Sequence, residues 1–192
     1  MNVKRIALLA SGSGSNAQKI IEYFADSKSI RVDCLLSNNP DAFAIERARN
    51  AGVDTLIFNR EQFYHSSFVS DWLHLRKIDL IVLAGFLWLV PENLVREFEI
   101  VNIHPAILPK YGGKNMYGMN VHKAVIGQKE KYSGITIHYV NEQYDDGAII
   151  FQASCPVSED DSPETLAGKI HALEHQYYPK IIEEIILKIK KS

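Results

Sequence analysis

A change of hydrophobic period near the amino terminus constrains the fold of this chain more than any other feature. Lys4 to Ala10 forms an apolar run typical of a buried strand, whereas apolar residues recur at helical spacing from Ala17 to Phe24. Between them, Ser11 to Asn16 reads SGSGSN, a run of small residues. The segment therefore predicts a strand, a glycine loop and a helix in succession.

The same alternation continues through the first half of the chain. VDCLLS (32–37), DTLIFN (54–59) and IDLIVLAG (78–85) are typical of strands, and 41–52 of a helix closed by Gly52. A longer helix is predicted over about 61–76, with Phe68, Trp72 and Leu75 on one face. Alternating strands and helices predict right-handed crossovers and a Rossmann-like, doubly wound, mostly parallel sheet in three layers, α/β/α.

The second half differs in pattern. We expect a short helix at 91–98, a strand and proline-bounded turn at 99–109, and a mobile loop at 110–120 that covers a functional region. Two strands follow at 133–140 and 148–157, either antiparallel or joined across a functional loop, before a long helix from Ser162 that Pro179 should bend. Lys188 to Ser192 is predicted to be a solvated tail.

Length and composition fit one domain, 1–192, with two halves, 1–100 and 101–192. The chain has 192 residues, is 46% hydrophobic and carries a net charge of −2, so no sequence-wide positive field attracts nucleic acid. Cys34 and Cys155 have neither metal-site spacing nor the density of a disulfide scaffold, and we expect buried, inert thiols. Apolar runs are too short for a signal peptide or a bilayer span, which predicts a cytoplasmic protein without a membrane partner.

The glycine loop admits several interpretations. Gly12, Gly14 and Ala17 satisfy a dinucleotide-binding pattern, but SNN at 37–39 supplies no carboxylate for a cofactor ribose, and no Gly-Lys-Ser/Thr follows for a P-loop. Free backbone N–H groups at 13–16, at a helix N-terminus, would instead suit a phosphate monoester. The alternative is a tight turn in which Ser15 or Asn16 caps the helix.

A second candidate site follows the strand at 99–104. Asn102 and His104 lie two residues apart and therefore point to the same side of the sheet, before the rigid Pro105. An amide donor and a protonated imidazole suit a carbonyl whose oxygen becomes negative. A carboxylate from Asp145 or Asp146 would have to hold or raise the pKa of His104. Taken singly, these residues are better explained as an ordinary hydrogen-bonded histidine and a plain Asp-Asp-Gly turn.

Three stretches in this order, SGSGSN, NIHPAILPKYGG and IHYVNEQYDDGAIIFQ, resemble the phosphoribosylglycinamide formyltransferases of the folate-dependent formyltransferase superfamily. The resemblance covers essentially the whole chain. It implies a one-carbon transferase that passes the formyl group of 10-formyltetrahydrofolate to the amine of glycinamide ribonucleotide, in purine (IMP) biosynthesis, without a metal. It also implies direct attack by the amine, with Asn102 and protonated His104 stabilising the oxyanion and Asp145 raising the pKa of His104.

The resemblance implies binding residues for both substrates. Those for the ribonucleotide lie in the glycine loop and the last helix: Gly14, Ser15, Asn16, Ala17, Gln18, His171, Ala172, Leu173 and Glu174. Those for the folate lie in three segments: His65, Leu87, Trp88, Leu89, Val90, Asn102, Asn141, Glu142, Gln143, Tyr144 and Asp145. Many family members have a basic residue at the positions of Trp88 and His65, and the loop GGKNMYGMN is longer than the common form.

Other functions remain open from the sequence. A formyltetrahydrofolate hydrolase, a sugar-nucleotide formyltransferase or a methionyl-tRNA formyltransferase could use the same three residues, although such relatives usually carry an additional domain. HALEH, His171 to His175, fits the H-x-x-E-H pattern of a zinc hydrolase. A small phosphate-binding regulator is the non-enzymatic alternative. The chain could be a monomer or a homodimer.

Overall fold

The computed structural model of the chain describes residues 3–189, in which seven strands form one sheet. The strands are β1 (Lys4–Leu9), β2 (Ile30–Ser37), β3 (Asp54–Ile57), β4 (Leu80–Leu83), β5 (Ile100–His104), β6 (Tyr132–Tyr139) and β7 (Ile149–Pro156). The helices are α1 (Ser15–Phe24), α2 (Phe43–Asn50), α3 (Arg60–Tyr64), α4 (Phe68–Leu75), α5 (Glu92–Glu97), α6 (Met119–Gly127) and α7 (Pro163–Lys188). From Lys190 onward, the predicted solvated tail lies outside the described residues.

The sheet has the order β3-β2-β1-β4-β5-β6-β7. The strands from β3 to β5 pair in parallel, whereas β6 is antiparallel to both β5 and β7. The antiparallel alternative for the last two strands is therefore correct. Because the chain reverses its direction of travel between β1 and β4, the topological switch point, where open α/β sheets form their binding crevices, lies between these strands.

Strand β1 shows why the core has two halves. Ile6 and Leu8 face a buried cluster that contains residues of α1, α2 and α7, whereas Ala7 and Leu9 face a second cluster with residues of α3, α4 and α5. A strand covered on both faces needs apolar residues at every position, which explains its unbroken hydrophobic run. The predicted three-layer, doubly wound α/β class is confirmed.

The predicted helix over 61–76 is wrong, because the chain forms two helices there. Asn59 and Gln62 make a capping box that begins α3, and α4 begins only after Ser67. The predicted apolar face is wrong as well, since Phe68 is 40% and Leu75 82% exposed. The second helix instead buries its residues Val69 and Leu73.

The closing helix α7 fixes the strand ends on which the site is built. Ser162 and Thr165 form its capping box, and Pro179 lies within it. Tyr178 is completely buried and donates its hydroxyl hydrogen to the carbonyl of Leu83, 2.9 Å away, at the end of β4. No helix among residues 3–189 is long and apolar enough to cross a membrane.

Both cysteines are free. Cys34 is buried in β2, and burial raises the pKa of its thiol to about 12. Cys155 is only partly buried, so the prediction of buried thiols holds for Cys34 alone.

Candidate active site

A cleft of about 670 Å³ lies at the carboxyl ends of the strands. The glycine loop after β1 and the segment after β4 form two of its walls. The end of β5, the loop before α6, the β6–β7 loop and one side of α7 complete it. The cleft thus occupies the switch point of the sheet and takes residues from both halves of the chain.

Asn102, His104 and Asp145 meet in this cleft. Asn102 and His104 project from β5, and Asp145 comes from the β6–β7 loop. The Nδ1 atom of His104 lies 3.3 Å from Oδ2 of Asp145, and the Asn102 amide lies 3.4 Å from Oδ1 of the same carboxylate. Asp145 has a φ of 54°, a backbone conformation in which aspartate and asparagine are enriched among non-glycine residues.

The imidazole of His104 is buried and has an oxygen atom beside each nitrogen. Its Nε2 atom lies 2.7 Å from the carbonyl oxygen of Tyr111, and its Nδ1 atom faces Asp145. Since both oxygens only accept hydrogen bonds, the doubly protonated imidazolium satisfies both contacts. Burial nevertheless lowers the pKa of His104, and the opposing effects of Asp145 and the Tyr111 carbonyl do not compensate. Asp145 therefore acts in the expected direction, but the expectation of a held or raised pKa for His104 is wrong.

His138 also belongs to this group, although the sequence did not identify it. It stands opposite Asn102 in the β5–β6 register, and its Nε2 atom lies 3.2 Å from the Asn102 amide nitrogen. Its Nδ1 atom lies 2.7 Å from the Tyr139 carbonyl and donates to it, whereas Nε2 lies between the Asn102 amide and Oδ1 of Asp145, which is 3.6 Å away. Alternation along β6 predicts only which face of the strand His138 occupies, and the β5–β6 register is needed to place it beside Asn102.

The carboxylate of Asp145 is stabilised in its ionised form. Burial raises its pKa, but the bond to His138, the charge of His104 and the backbone N–H of Gly113 outweigh burial, and the pKa is lowered overall. The Gly113 nitrogen lies 2.9 Å from Oδ2. Asp146, the other candidate in the sequence, is exposed and accepts a bond from Asn141 instead.

The glycine loop has a conformation that requires Gly14. This residue is the N-cap of α1 with a φ of 72°, and a Cβ atom there would lie 2.6 Å from the Cα and Cβ atoms of Ala44. No side chain caps α1, so the interpretation with Ser15 or Asn16 as a cap is wrong. The first backbone N–H groups of α1 thus lack intrahelical acceptors, at the end of the helix that attracts anions.

The residues expected to bind the ribonucleotide divide into two groups. Gly14, Ser15, Asn16, His171 and Glu174 line the cleft. The Asn16 amide donates to Glu174 across 3.0 Å, which joins the glycine loop to α7. Glu174 is buried, and burial raises its pKa. The side-chain oxygen of Asn16 has no partner among the described residues.

The other four expected residues do not line the cleft with their side chains. Ala17 is buried in the core, and Leu173 packs against the same core. Gln18 bonds to Glu22 and to Arg47, whose guanidinium also holds the Ser13 carbonyl. Ala172 is exposed on α7.

The apolar side of the cleft is formed by Leu87 to Val90, together with Gln143 and Tyr144. Trp88 belongs to an aromatic cluster, with ring centroids 5.8 Å from Tyr64 and 5.9 Å from Phe63. The remaining residues expected here, His65, Asn141 and Glu142, do not line the cleft.

Arg60 was not identified from the sequence. Its guanidinium carbon lies 5.8 Å from the Trp88 ring centroid and 5.2 Å from that of Tyr64. Arg60 therefore brings a positive charge beside Trp88, whereas His65, for which a folate contact was expected, is exposed at the end of α3. A cation stacked on aromatic rings at the start of a short helix leaves no periodic signal in the sequence.

The H-x-x-E-H segment forms one face of α7. The rings of His171 and His175 are 6.3 Å apart and nearly parallel, and Glu174 between them accepts the bond from Asn16. Within residues 3–189, no group of three His, Cys, Asp or Glu side chains is arranged to hold a metal ion.

This fold is that of a formyl transferase, and the chain belongs to the formyl transferase family, whose model matches residues 4–182. It is 41% identical over 190 residues to the chloroplastic phosphoribosylglycinamide formyltransferase of Arabidopsis thaliana, covering 95% of this chain and 65% of that protein. With phosphoribosylglycinamide formyltransferase of Bacillus subtilis it shares 32% identity over 191 residues, covering 96% and 95% of the two chains. The structure is similar to that of glycinamide ribonucleotide transformylase 1 from Symbiobacterium toebii, with a TM-score of 0.87 and 35% identity over 96% of this chain and 88% of the other.

The resemblance seen in the sequence is confirmed at the level of the family. The chain spans 65% and 61% of the lengths of the Arabidopsis thaliana and Vigna unguiculata relatives, respectively.

Proposed function

We propose that this chain is a phosphoribosylglycinamide formyltransferase, which transfers the formyl group of 10-formyltetrahydrofolate to the amine of glycinamide ribonucleotide in purine biosynthesis. The observation that carries the proposal is the convergence of Asn102, His104 and Asp145 between an anion-binding loop and an apolar wall of one cleft. The names of the relatives support the same reaction.

The ribonucleotide would bind at the glycine-loop end of the cleft. The unpaired N–H groups at the start of α1 and the partial positive charge of the helix N-terminus suit its phosphate. Glu174 and His171 face the same space, and the side-chain oxygen of Asn16 is left to accept a hydrogen bond. These groups match the hydroxyl donors of a ribose ring.

The folate would bind at the apolar end. Backbone groups of Leu87 to Val90 and the side chains of Gln143 and Tyr144 would contact the pterin ring. Arg60 would attract the carboxylates of the folate tail from its position beside Trp88. This arrangement would replace the basic residues that many family members have at positions 88 and 65.

For the chemical step, we propose that the substrate amine attacks the formyl carbon directly. Asn102 and protonated His104 would stabilise the negative charge that develops on the formyl oxygen, an effect of about 3 kcal/mol for one such donor. The carbon–nitrogen bond to the folate then breaks, the amine loses a proton and the folate nitrogen gains one. His104 is placed to move this proton, and Asp145 favours its charged form.

The lowered pKa of His104 gives this mechanism a specific requirement. In the free protein, burial favours the neutral imidazole. Negative charge on the formyl oxygen would raise the pKa of His104 during the reaction, because an opposite charge nearby favours the imidazolium. Protonation of His104 would therefore be coupled to substrate binding.

We further propose that residues 1–192 act as one formyltransferase domain, with the phosphate contacts in 1–100 and most of the catalytic residues in 101–192. The single sheet and the shared cleft support this assignment. A cytoplasmic location, the absence of nucleic-acid and membrane partners, and the choice between monomer and homodimer stay predictions.

The test is a formyl-transfer assay with purified protein, 10-formyltetrahydrofolate and glycinamide ribonucleotide, beside two histidine variants. His104→Ala should abolish turnover, whereas His74→Ala, an exposed position on α4, should leave it unchanged. Release of folate without the ribonucleotide would identify a hydrolase instead. Turnover that chelators abolish and zinc restores would favour a zinc enzyme.

A further inference from the structure

The turn from Tyr111 to Gly113 contacts two members of the catalytic group, His104 and Asp145. The carbonyl oxygen of Tyr111 lies 2.7 Å from Nε2 of His104, and the N–H group of Gly113 donates to Oδ2 of Asp145 across 2.9 Å. The turn thus holds Nε2 of His104 and Oδ2 of Asp145 in position. A shift of this backbone would alter both at once.

The backbone of this turn has an unfavourable conformation. Tyr111 has a φ of 59°, in the left-handed region that residues with a side chain rarely adopt. The next residue, Gly112, packs so closely that a Cβ atom there would lie 2.6 Å from Leu108 Cδ2 and 3.3 Å from Asp145 Cβ. Such a conformation persists only where the surroundings hold it.

A carboxylate outside the cleft provides such a restraint. The hydroxyl group of Tyr111 donates to Oε1 of Glu130 across 2.9 Å, and Nζ of Lys110 lies 2.8 Å from the same oxygen. Glu130 lies between α6 and β6, 19 residues further along the chain. A cavity of about 370 Å³, lined by Tyr111, Glu130 and Val125, leaves space beside the tyrosine ring. The bond to Glu130 therefore adds to the packing of the ring against the core, which leaves one side of the ring open.

We propose that Glu130 is a positioning residue, which holds the hydroxyl group of Tyr111 and thereby keeps the Tyr111 carbonyl against His104. This role was not visible in the sequence, because the contact with the histidine is made by a backbone oxygen. The expected change in kcat rests on the proposed formyl transfer. The expected change in the protonation of His104 does not.

The proton affinity of His104 is the property that this restraint should control. Asp145 and the Tyr111 carbonyl raise its pKa, whereas burial and the charge of His138 lower it. His122 on α6 is the other titratable group that interacts with His104. Loss of the bond to the carbonyl removes a contribution that raises the pKa, so the pKa of His104 should fall further.

The experiment compares Tyr111→Phe and Glu130→Ala with two controls. Glu130→Gln keeps an oxygen that accepts from Tyr111, and Lys110→Met removes only the other partner of Glu130. We expect the first two variants to protonate His104 at lower pH than the wild type, measured by NMR titration of ¹⁵N-labelled histidine. Their kcat should fall by about tenfold with the KM for the ribonucleotide unchanged, since misplaced catalytic groups affect the chemical step. Both controls should behave like the wild type.

An unchanged His104 titration in Tyr111→Phe would overturn the proposal. This variant keeps the packing of the ring, so it carries the test if Glu130→Ala fails to fold. A shifted titration in a protein that transfers no formyl group would support the positioning role and refute the proposed function, which keeps the two failures apart.

Discussion

The substitution Asp145→Asn tests the electrostatic part of the proposed mechanism with little disturbance of the fold. Asparagine has the same shape as aspartate and also tolerates the positive φ of 54° at this position. Its amide oxygen can still accept the N–H group of Gly113, and its NH₂ group can face Nε2 of His138. The change therefore removes the negative charge but keeps most contacts.

The size of the effect follows from the distance between the two charged groups. At 3.3 Å, the attraction between His104 and Asp145 amounts to about 5 kcal/mol for an effective dielectric constant of 20, and to about 1 kcal/mol in bulk water. Both side chains are largely buried, with exposures of 4% and 11%, but the asparagine dipole retains part of the attraction. We therefore expect a loss of about 3 kcal/mol, or about two orders of magnitude in kcat.

The pH dependence supplies the second readout. Activity that needs protonated His104 is present below its pKa and lost as the pH rises through it. Because Asp145 raises the pKa of His104, the variant should lose activity at a lower pH than the wild type. The assay is kcat for formyl transfer at saturating substrates across pH, and Asp146→Asn, which changes an exposed carboxylate bonded to Asn141, is the control. A kcat within tenfold of the wild type and an unmoved pH profile in Asp145→Asn would refute the reasoning.

Three further predictions concern the loop, the folate side and the core. Gly14→Ala should lower the free energy of unfolding, measured in urea, by about 2–5 kcal/mol, because the new Cβ atom would sit on a left-handed backbone and overlap Ala44. A variant as stable as the wild type would contradict this argument. Arg60→Gln should raise the KM for the folate about tenfold at constant kcat, as expected for a lost contact with a carboxylate, and an unchanged KM would exclude this residue from the tail site. Cys34 should resist alkylation near pH 8 until the protein unfolds, since burial raises the pKa of its thiol to about 12. Mass spectrometry of native and unfolded samples measures the alkylation, and rapid labelling of the native protein would contradict the prediction.

The sheet could be predicted because its signals are local. Unbroken apolar strands, a glycine loop and helical spacing each follow from a few consecutive residues, and two residues of separation suffice to place Asn102 and His104 on one side of β5. The break between α3 and α4 leaves no comparable signal, because the capping box of Asn59 and Gln62 marks only the start of α3, where one long helix would also begin.

The details of the candidate site depend on contacts between distant segments, and local patterns do not contain them. Spacing alone could not choose between Asp145 and Asp146; the positive φ of Asp145 and the N–H group of Gly113 direct its side chain to His104. The resemblance to the family implies Asp145, whereas the local pattern does not distinguish the two. The Tyr111 carbonyl had no such support, because any residue carries a backbone oxygen.

Burial has two opposite effects on His104, and the proposed chemistry needs both. Removal of water disfavours the imidazolium in the free protein, which lowers its pKa. The same removal strengthens every interaction of the imidazolium with Asp145, the Tyr111 carbonyl and a developing oxyanion. A more exposed histidine would be protonated more readily but would stabilise the oxyanion less. The arrangement therefore favours a histidine that becomes protonated mainly when negative charge develops on the formyl oxygen. The acceptors of the imidazolium, the Tyr111 carbonyl and Asp145, are already in place on both sides of the ring.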